Sequence, residues 1–215
     1  MSRYPQKSEG ARGSLKWMLR AVNAQSTHLQ PTALPTLRWV SPVQSDDYAE
    51  YRDGPALQRL GLDELVDKLS DFWPKRGPQW DGLAVFNGGV VLAEAKAHVA
   101  EFRSPASQAG PKSKALIQRS LSSVQDALGL PPNPAWDQTF YQYTNRLAHL
   151  WWLREHGINA HLLFIGFLGD RDMAGPEDPA LWKAAFAEAD AALGLPAAHA
   201  LSDYVHHVYP KVENL

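Results

Sequence analysis

The sequence contains no cysteine. Disulfides, zinc–thiolate sites, iron–sulfur clusters and cysteine nucleophiles are therefore excluded. Long apolar runs are also missing, since a run such as Leu162 to Ile165 is far shorter than the roughly 20 residues that a membrane-spanning helix needs. The chain has neither a glycine-rich phosphate loop ending in Gly-Lys-Ser/Thr nor a Gly-x-Ser-x-Gly nucleophile elbow. Because no apolar segment follows residues 1–5, we expect no signal peptide, no membrane association and a cytoplasmic location.

Basic residues do not dominate the chain, but their distribution is uneven. With 21 Lys and Arg against 23 Asp and Glu, the net charge is -2, which excludes a strongly basic nucleic-acid coat. Residues 1–45 nevertheless hold six basic residues and one acidic residue. Residues 102–125 hold no acidic residue, and their basic residues are Arg103, Lys112, Lys114 and Arg119. Either segment can face a polyanion such as a nucleic acid, and a solvated surface is the alternative interpretation.

The hydrophobic pattern predicts one α/β domain over residues 1–215. Hydrophobic residues make up 45% of the 215, and no internal repeat or hinge linker is evident. Apolar residues at helical spacing predict helices, and apolar segments bounded by turn residues predict strands. The predicted helices are 13–24, one that starts at Ser45, 62–72, 115–128, 137–155 and 179–193, and the predicted strands are 36–40, 79–86, 90–98 and 160–168. Strands 79–86 and 90–98 flank Asn87-Gly88-Gly89, which predicts an antiparallel hairpin, and residues 104–113 are predicted to form a loop.

This hairpin carries the residues that can do chemistry. Side chains alternate along a strand, so Glu94 and Lys96 point to the same side of an otherwise apolar segment. A carboxylate and an ammonium are costly to desolvate there unless they are paired or bound. Pairing across the turn brings Asp81 towards Glu94, and two close carboxylates repel each other unless a hard cation such as Mg²⁺ or Mn²⁺ relieves the repulsion. The alternative is an ordinary ion-pair cluster on a half-exposed sheet.

Asp81, followed by Glu94-Ala95-Lys96 on the next predicted strand, resembles the signature of the PD-(D/E)XK nuclease superfamily, the restriction-endonuclease-like fold. This resemblance implies a mixed central sheet flanked by helices. Its core, about residues 46–170, would run helix, three-stranded meander, helix, strand, with N- and C-terminal helical additions. It also implies that Asp81 and Glu94 bind Mg²⁺ or Mn²⁺, and that Lys96 is the catalytic lysine, acting on the attacking water. One departure is that Pro78 lies three residues before Asp81, so the chain has no Pro-Asp pair.

The resemblance also implies further site residues. Members of the superfamily often add an acid from the first core helix, and here Glu50, among aromatic residues, is favoured over Glu64, which lies opposite an apolar helical stripe. Gln142 looks like the glutamine that some of these nucleases carry on the helix after the Glu-x-Lys strand. Arg146 lies four residues later on the same helix face and is expected to grip a phosphate. The predicted catalytic residues are thus Asp81, Glu94, Lys96 and Glu50, and the predicted substrate-binding residues are Gln142, Arg146, Lys112 and Lys114.

Together these features predict a Mg²⁺-dependent phosphodiesterase that hydrolyses nucleic acid, with DNA favoured over RNA. One alternative is a non-catalytic nucleic-acid-binding or assembly module that keeps the nuclease fold. Another is a small α/β interaction protein in which Asp81 and Lys96 form a structural ion pair. The enzyme requires the carboxylates of Asp81 and Glu94 to converge, whereas the modules do not. Monomer and homodimer both remain open.

Overall fold

The computed structural model describes residue 10 and residues 12–215. Two of the basic residues counted in the N-terminal segment, Arg3 and Lys7, lie outside the described residues. Six α-helices and five β-strands occur in the described part of the chain. In chain order they are α1 (Gly13–Asn23), β1 (Arg38–Ser41), α2 (Asp53–Arg59), α3 (Val66–Phe72), β2 (Gly82–Phe86), β3 (Gly89–Lys96), α4 (Pro111–Ala127), α5 (Tyr141–Glu155), β4 (Ala160–Gly166), α6 (Pro179–Leu193) and β5 (Val205–Val208).

The strands form one mixed sheet in the order β1-β2-β3-β4-β5. The pairs β1–β2 and β2–β3 are antiparallel, and the pairs β3–β4 and β4–β5 are parallel. The turn at Asn87-Gly88 closes the β2–β3 hairpin, and Gly88 adopts the positive φ of 88° that glycine tolerates without strain. The predicted α/β class with a mixed sheet flanked by helices, and the predicted hairpin, are therefore confirmed.

The two faces of the sheet are covered unequally. In β3, Val91, Ala93 and Ala95 pack in the cluster that contains the buried side chains of α1. The neighbouring residues Val90 and Leu92 point the other way, into the larger core formed with α2 to α6. Glu94 follows the same alternation as Val90 and Leu92, so it points to the side on which α5 packs. The sheet thereby presents Glu94 and Lys96 to a helix rather than to bulk water.

Several expectations about the elements are wrong. The strand predicted over 36–40 is present as β1, but it lies before residue 46, so the N-terminal addition is not only helical. The C-terminal addition contains a strand that was not predicted, β5, which is only four residues long and pairs along one edge, so its hydrophobic pattern is weak. The helix predicted to start at Ser45 is a single 3₁₀ turn, because Asp47 and Tyr48 adopt positive φ angles that end it.

Helix α4 begins earlier than predicted. Pro111 occupies its first turn, a position at which the missing proline N–H costs no helical hydrogen bond. Lys112 and Lys114 are therefore helical, and the loop is confined to residues before 111. None of the helices in the described residues is long and apolar enough to cross a membrane.

Candidate active site

The hairpin register places Asp81 beside Glu94. Gly82 at the start of β2 pairs with Ala93, so Asp81 lies one residue beyond the ladder, opposite the stretch that carries Glu94. The Asp81 Oδ2 atom accepts a hydrogen bond of 2.8 Å from the backbone N–H of Ala95. That bond fixes the carboxylate on the edge of β3, where both acids line the same cavity.

Glu94 is held by two cations. Its Oε1 atom accepts a hydrogen bond from Lys96 Nζ, and its Oε2 atom accepts one of 2.7 Å from Arg146 Nε. Glu94 and Arg146 are only 5% and 4% exposed. Because the pairing supplies a partner to each buried charge, the desolvation cost of this part of the cluster is offset within the protein.

The Arg146 guanidinium contacts its neighbour Asn145 on α5 and three groups from other parts of the fold. Besides the bond to Glu94, Nη1 donates to Asn145 Oδ1 at 2.7 Å and Nη2 donates to the backbone oxygen of Gln79 at 2.8 Å. The guanidinium also lies over the ring of Trp80, 4.8 Å from its centroid. Arg146 therefore ties α5 to the segment before β2 and to β3. That Arg146 binds a phosphate stays a prediction. Its observed contacts hold the carboxylate of Glu94 in position.

The pKa values of the two carboxyl groups in the cluster are shifted in opposite directions. Burial and, second, the nearby charge of Glu94 raise the pKa of the Asp81 carboxyl from 3.8 to about 6, against the opposing effect of Lys96. Burial alone would also raise the pKa of Glu94, but the charges of Arg146 and Lys96 outweigh it and hold that pKa below its usual value. The repulsion between the two carboxylates is therefore expressed in the raised pKa of Asp81 and not in the pKa of Glu94.

Lys96 keeps its proton. Burial favours the neutral amine, but the negative charges of Glu94 and Asp81 outweigh burial and raise the pKa of the ammonium above 10.5. A lysine in this state is a fixed positive charge at neutral pH and a poor general base. The charge of Lys96 is therefore suited to stabilising negative charge rather than to taking a proton from the attacking water.

The cluster opens into a cavity of about 390 Å³. One wall is the loop before α4, where the Oγ atom of Ser104 accepts a hydrogen bond of 2.8 Å from the backbone N–H of Gln142. Further along the loop, the backbone N–H of Ser107 donates a hydrogen bond of 3.2 Å to the backbone oxygen of Asp137, which lies four residues before the start of α5. The loop is therefore attached at two points, Ser104 and Ser107, to the start of α5 and to the segment that precedes it. The floor holds the charged residues, and the remaining lining includes Trp73, Arg76, Gln79, Tyr141 and Asn145.

Glu50 lines the same cavity, but it does so from a different kind of backbone segment than predicted. It does not lie on a helix but directly precedes Tyr51, which forms an isolated antiparallel bridge to Trp80. Its side chain is 3% exposed and lines the cavity with Asp81, Glu94 and Lys96. The competing candidate, Glu64, is exposed on a 3₁₀ turn before α3. Of the two acids, only Glu50 lines the cavity.

The predicted substrate-binding residues divide into two groups. Gln142 is exposed and lines the cavity, as does Arg146 at its floor. Lys112 and Lys114 lie on α4, outside the cavity lining. Lys112 is exposed, and Lys114 Nζ lies 4.0 Å from an oxygen of Asp137. Neither lysine therefore shares the cavity lining with Asp81, Glu94 and Lys96.

The cavity lining includes polar residues that were not predicted from the sequence, among them Gln79, Tyr141 and Asn145. Gln79 lies two residues before Asp81 in an extended segment, so strand alternation alone could have placed it on the same side. Asn145 is on α5 next to Arg146, and no spacing rule separates it from a surface residue. Burial raises the pKa of the Tyr141 phenol, which is hydrogen-bonded to Ser107 and Asn145 and stays neutral.

No protein-family model, curated protein or solved structure matches the chain.

The carboxylates of the cavity decide whether a metal ion fits there. No group of three or more His, Asp and Glu side chains within the described residues is arranged to hold a metal ion. Mg²⁺, however, is commonly bound through one or two carboxylates, with water and substrate phosphates completing its shell. Asp81 and Glu94 fit that pattern, because both are oxygen donors and Asp81 carries a charge that the fold does not fully offset.

Proposed function

We propose that this protein is a divalent-metal-dependent phosphodiesterase that hydrolyses nucleic acid, with DNA the favoured substrate. The observation that carries this proposal is the convergence of Asp81, Glu94 and Lys96 on one polar cavity, with a third acid, Glu50, in its wall. A carboxylate whose pKa is raised by burial and by a like charge is typical of a functional site. An ordinary surface ion pair would not raise the pKa of Asp81 in this way.

In this proposal Asp81 and Glu94 hold Mg²⁺ or Mn²⁺, which would supply a positive charge to a phosphodiester oxygen. Lys96 stays protonated and stabilises the negative charge that develops on the phosphate. Glu94 positions Lys96 by accepting its hydrogen bond, and Arg146 in turn positions Glu94. Glu50 contributes a carboxyl group to the wall and is the candidate for orienting the attacking water.

Nucleic-acid contacts outside the cavity are proposed for the basic residues of α4. Lys112 is exposed and Lys114 is close to the same helix start, at the end of the loop that walls the cavity. Lysines outside the cavity would contact the nucleic-acid backbone rather than the reacting phosphate. They would therefore affect affinity and its salt dependence more than the chemical step.

A non-catalytic nucleic-acid-binding module is the second candidate, and one observation favours it. Both carboxylate oxygens of Glu94 are already bonded to cations of the protein, so this side chain is satisfied without a metal. In such a module the cluster would only join α5 to the hairpin, and Asp81 would bind no cation.

Cleavage assays with a matched pair of variants test the proposal. Labelled single-stranded and duplex DNA and RNA are incubated with the wild type, with Lys96→Met and with Lys68→Met, in Mg²⁺, in Mn²⁺ and in chelator. Lys68 is exposed on α3 and does not line the cavity, so it is the control. We expect metal-dependent cleavage by the wild type and by Lys68→Met, and a loss of roughly 100-fold or more in Lys96→Met.

Binding separates the two candidate functions. Lys96→Met leaves the Arg146 bond to Glu94 in place, so its affinity for uncleaved nucleic acid should change little. A wild type that binds nucleic acid but cleaves none of the substrates in either metal supports the module. Cleavage by Lys96→Met at the wild-type rate would show that this lysine has no role in the chemical step.

A further inference from the structure

Three of the described residues that line the cavity carry a positively charged side chain. Two of them, Lys96 and Arg146, donate to the carboxylate of Glu94. The third, Arg76, is exposed, and its side chain makes no hydrogen bond or ion pair with any other described residue. Arg76 is therefore the one cation of the three that keeps all of its side-chain donors for a ligand.

The backbone at Arg76 is held in a conformation that residues with a Cβ rarely adopt. Its φ angle is 69°, in the left-handed region. The carboxylate of Asp53 fixes this turn, because Oδ2 accepts a hydrogen bond of 3.0 Å from the Arg76 N–H and Oδ1 accepts one of 2.8 Å from the Gly77 N–H. Backbone strain of this kind persists only where the surrounding structure imposes it, and it occurs preferentially at active sites and ligand-binding sites.

The turn forms part of the cavity wall. Trp73 and residues 76–79 all line the cavity. The turn is also tightly packed, since a Cβ at Gly77 would lie 3.0 Å from Oδ1 of Asp53 and 3.1 Å from Cδ1 of Trp73. Arg76 is therefore attached to a rigid support in the wall of the cavity.

The chemistry of an unpaired guanidinium in this place indicates a phosphate. A guanidinium presents its N–H donors in a planar fork, which matches two oxygens of one phosphate group. In a phosphodiester the two non-bridging oxygens share one negative charge. Asp81 and Glu94 would repel that charge, and a cation of the same lining that neither carboxylate binds offsets the repulsion.

We propose that Arg76 binds a phosphate group of the nucleic acid at the cavity and that Asp53 is a positioning residue, which acts by fixing the turn. The inference rests on the proposed function and identifies a substrate contact of that site. The phosphate contact expected of Arg146 then falls to Arg76, since the guanidinium of Arg146 is already bonded within the protein. Because Arg76 contacts the substrate before the reaction begins, it should affect binding more than the chemical step.

Fluorescence anisotropy with short labelled nucleic acids, single-stranded and duplex DNA and RNA, tests the contact without requiring cleavage. Affinity is measured with Mg²⁺ at several salt concentrations for a parent protein that carries Lys96→Met, and for the same protein with Arg76→Met, Arg76→Lys or Lys75→Met added. Lys75 is exposed and does not line the cavity, so Lys75→Met removes the same charge from the same turn. Since the Arg76 side chain bonds to no other described residue, its replacement should leave the melting temperature unchanged.

We expect Arg76→Met to bind about tenfold more weakly than the parent protein, because it loses a charge-assisted contact. The slope of log affinity against log salt should fall by about 0.9 for duplex DNA or about 0.7 for a single strand, the effect of one phosphate contact. Arg76→Lys keeps the charge and therefore the slope, but it loses the two-point contact and should bind about threefold more weakly. Lys75→Met should change the affinity by less than about twofold, since it lies outside the cavity lining.

Asp53→Asn tests the positioning role. Asparagine tolerates the same positive φ but has one side-chain oxygen, so it cannot accept both backbone hydrogen bonds as the carboxylate does. It should weaken binding in a protein that retains Arg76 and have no further effect when combined with Arg76→Met, because its influence passes through the guanidinium. Equal losses in both backgrounds would show a general structural role for Asp53 and refute the positioning role.

The phosphate contact is overturned if the parent protein binds none of the nucleic acids, or if Arg76→Met binds them as tightly as the parent does. It is also overturned if Lys75→Met loses as much affinity and slope as Arg76→Met, because diffuse charge would then explain both. In cleavage assays with Lys96 intact, Arg76→Met should raise KM and leave kcat within about twofold of the wild type. Cleavage with an unchanged KM refutes this inference and leaves the proposed function in place. Binding that depends on Arg76, with no cleavage by the wild type, refutes the proposed function and leaves the phosphate contact in place.

Discussion

Replacing Asp81 with asparagine is expected to stabilise the folded protein at neutral and alkaline pH. Asparagine has nearly the shape of aspartate, and its side-chain oxygen can still accept the hydrogen bond from the Ala95 N–H. What it removes is a buried negative charge next to Glu94. Burial and, second, the charge of Glu94 raise the pKa of that Asp81 carboxyl to about 6.

The expected size follows from linkage. A rise from 3.8 in the unfolded chain to about 6 in the folded protein corresponds to a loss of about 3 kcal/mol once Asp81 is ionised in both states. Below the unfolded pKa the group is neutral in both states and costs nothing. As the pH rises through the folded pKa the full cost develops, so the advantage of Asp81→Asn grows between these two values and is then constant. For a chain of this size it corresponds to roughly 6–12 °C in melting temperature.

Glu94→Gln is the matched variant with the opposite sign. The pKa of Glu94 is lowered overall, so its charge stabilises the fold above its unfolded value of 4.5 and this contribution is lost as the pH falls through its folded pKa. The substitution leaves Lys96 and Arg146 without their charged partner, and breaking a buried pair in this way costs about 3–5 kcal/mol. Two substitutions that each remove one negative charge from the same cavity should therefore change stability in opposite directions at neutral pH.

Denaturant and thermal unfolding of the three proteins, from about pH 4 to pH 8 in chelator, check this. Adding Mg²⁺ provides a further arm, since a ligand at a hundredfold excess over its Kd stabilises by about 2.7 kcal/mol, and the wild type should gain more than Asp81→Asn does. A lower stability of Asp81→Asn at about pH 8, or a shift that is the same at both ends of the range, would refute the assignment of the buried repulsion to Asp81.

Three further predictions concern the framework and the nucleic-acid contacts. Arg146→Lys should lower the free energy of unfolding by about 3 kcal/mol, because one ammonium cannot replace a guanidinium that bonds three groups and covers an aromatic ring; chemical denaturation measures this, and unchanged stability would contradict it. Gly166→Ala should cost about 1–3 kcal/mol, since its new Cβ would lie 2.7 Å from a buried tryptophan ring of α6. By the same measurement Gly110→Ala, which adds a Cβ in open space at the N-cap of α4, should cost less. Lys112→Ala combined with Lys114→Ala should reduce the slope of log affinity against log salt by about 1–2 for DNA, and an unchanged slope would place the backbone contacts elsewhere.

The sequence alone determined much of the framework of this protein. Alternation and the turn at Asn87 identified the hairpin, and alternation within β3 placed Glu94 and Lys96 on one side. These features depend on local periodicity and turn chemistry, which act over a few residues and are therefore legible in a single chain. The same locality explains why the long helices α5 and α6 were predicted close to their observed bounds, whereas the short edge strand β5 was not.

Only the tertiary structure decided how the charges of the cavity are distributed. Arg146 lies 52 positions along the chain from Glu94, and no local rule shows that its guanidinium meets this carboxylate rather than a phosphate. Glu50 enters the cavity through a bridge between Tyr51 and Trp80, which replaces the helix that its sequence context indicated. Burial, pairing and pKa depend on which distant segments pack together. The sequence could therefore propose the carboxylates and the lysine, but not that Asp81 alone would carry the unrelieved charge.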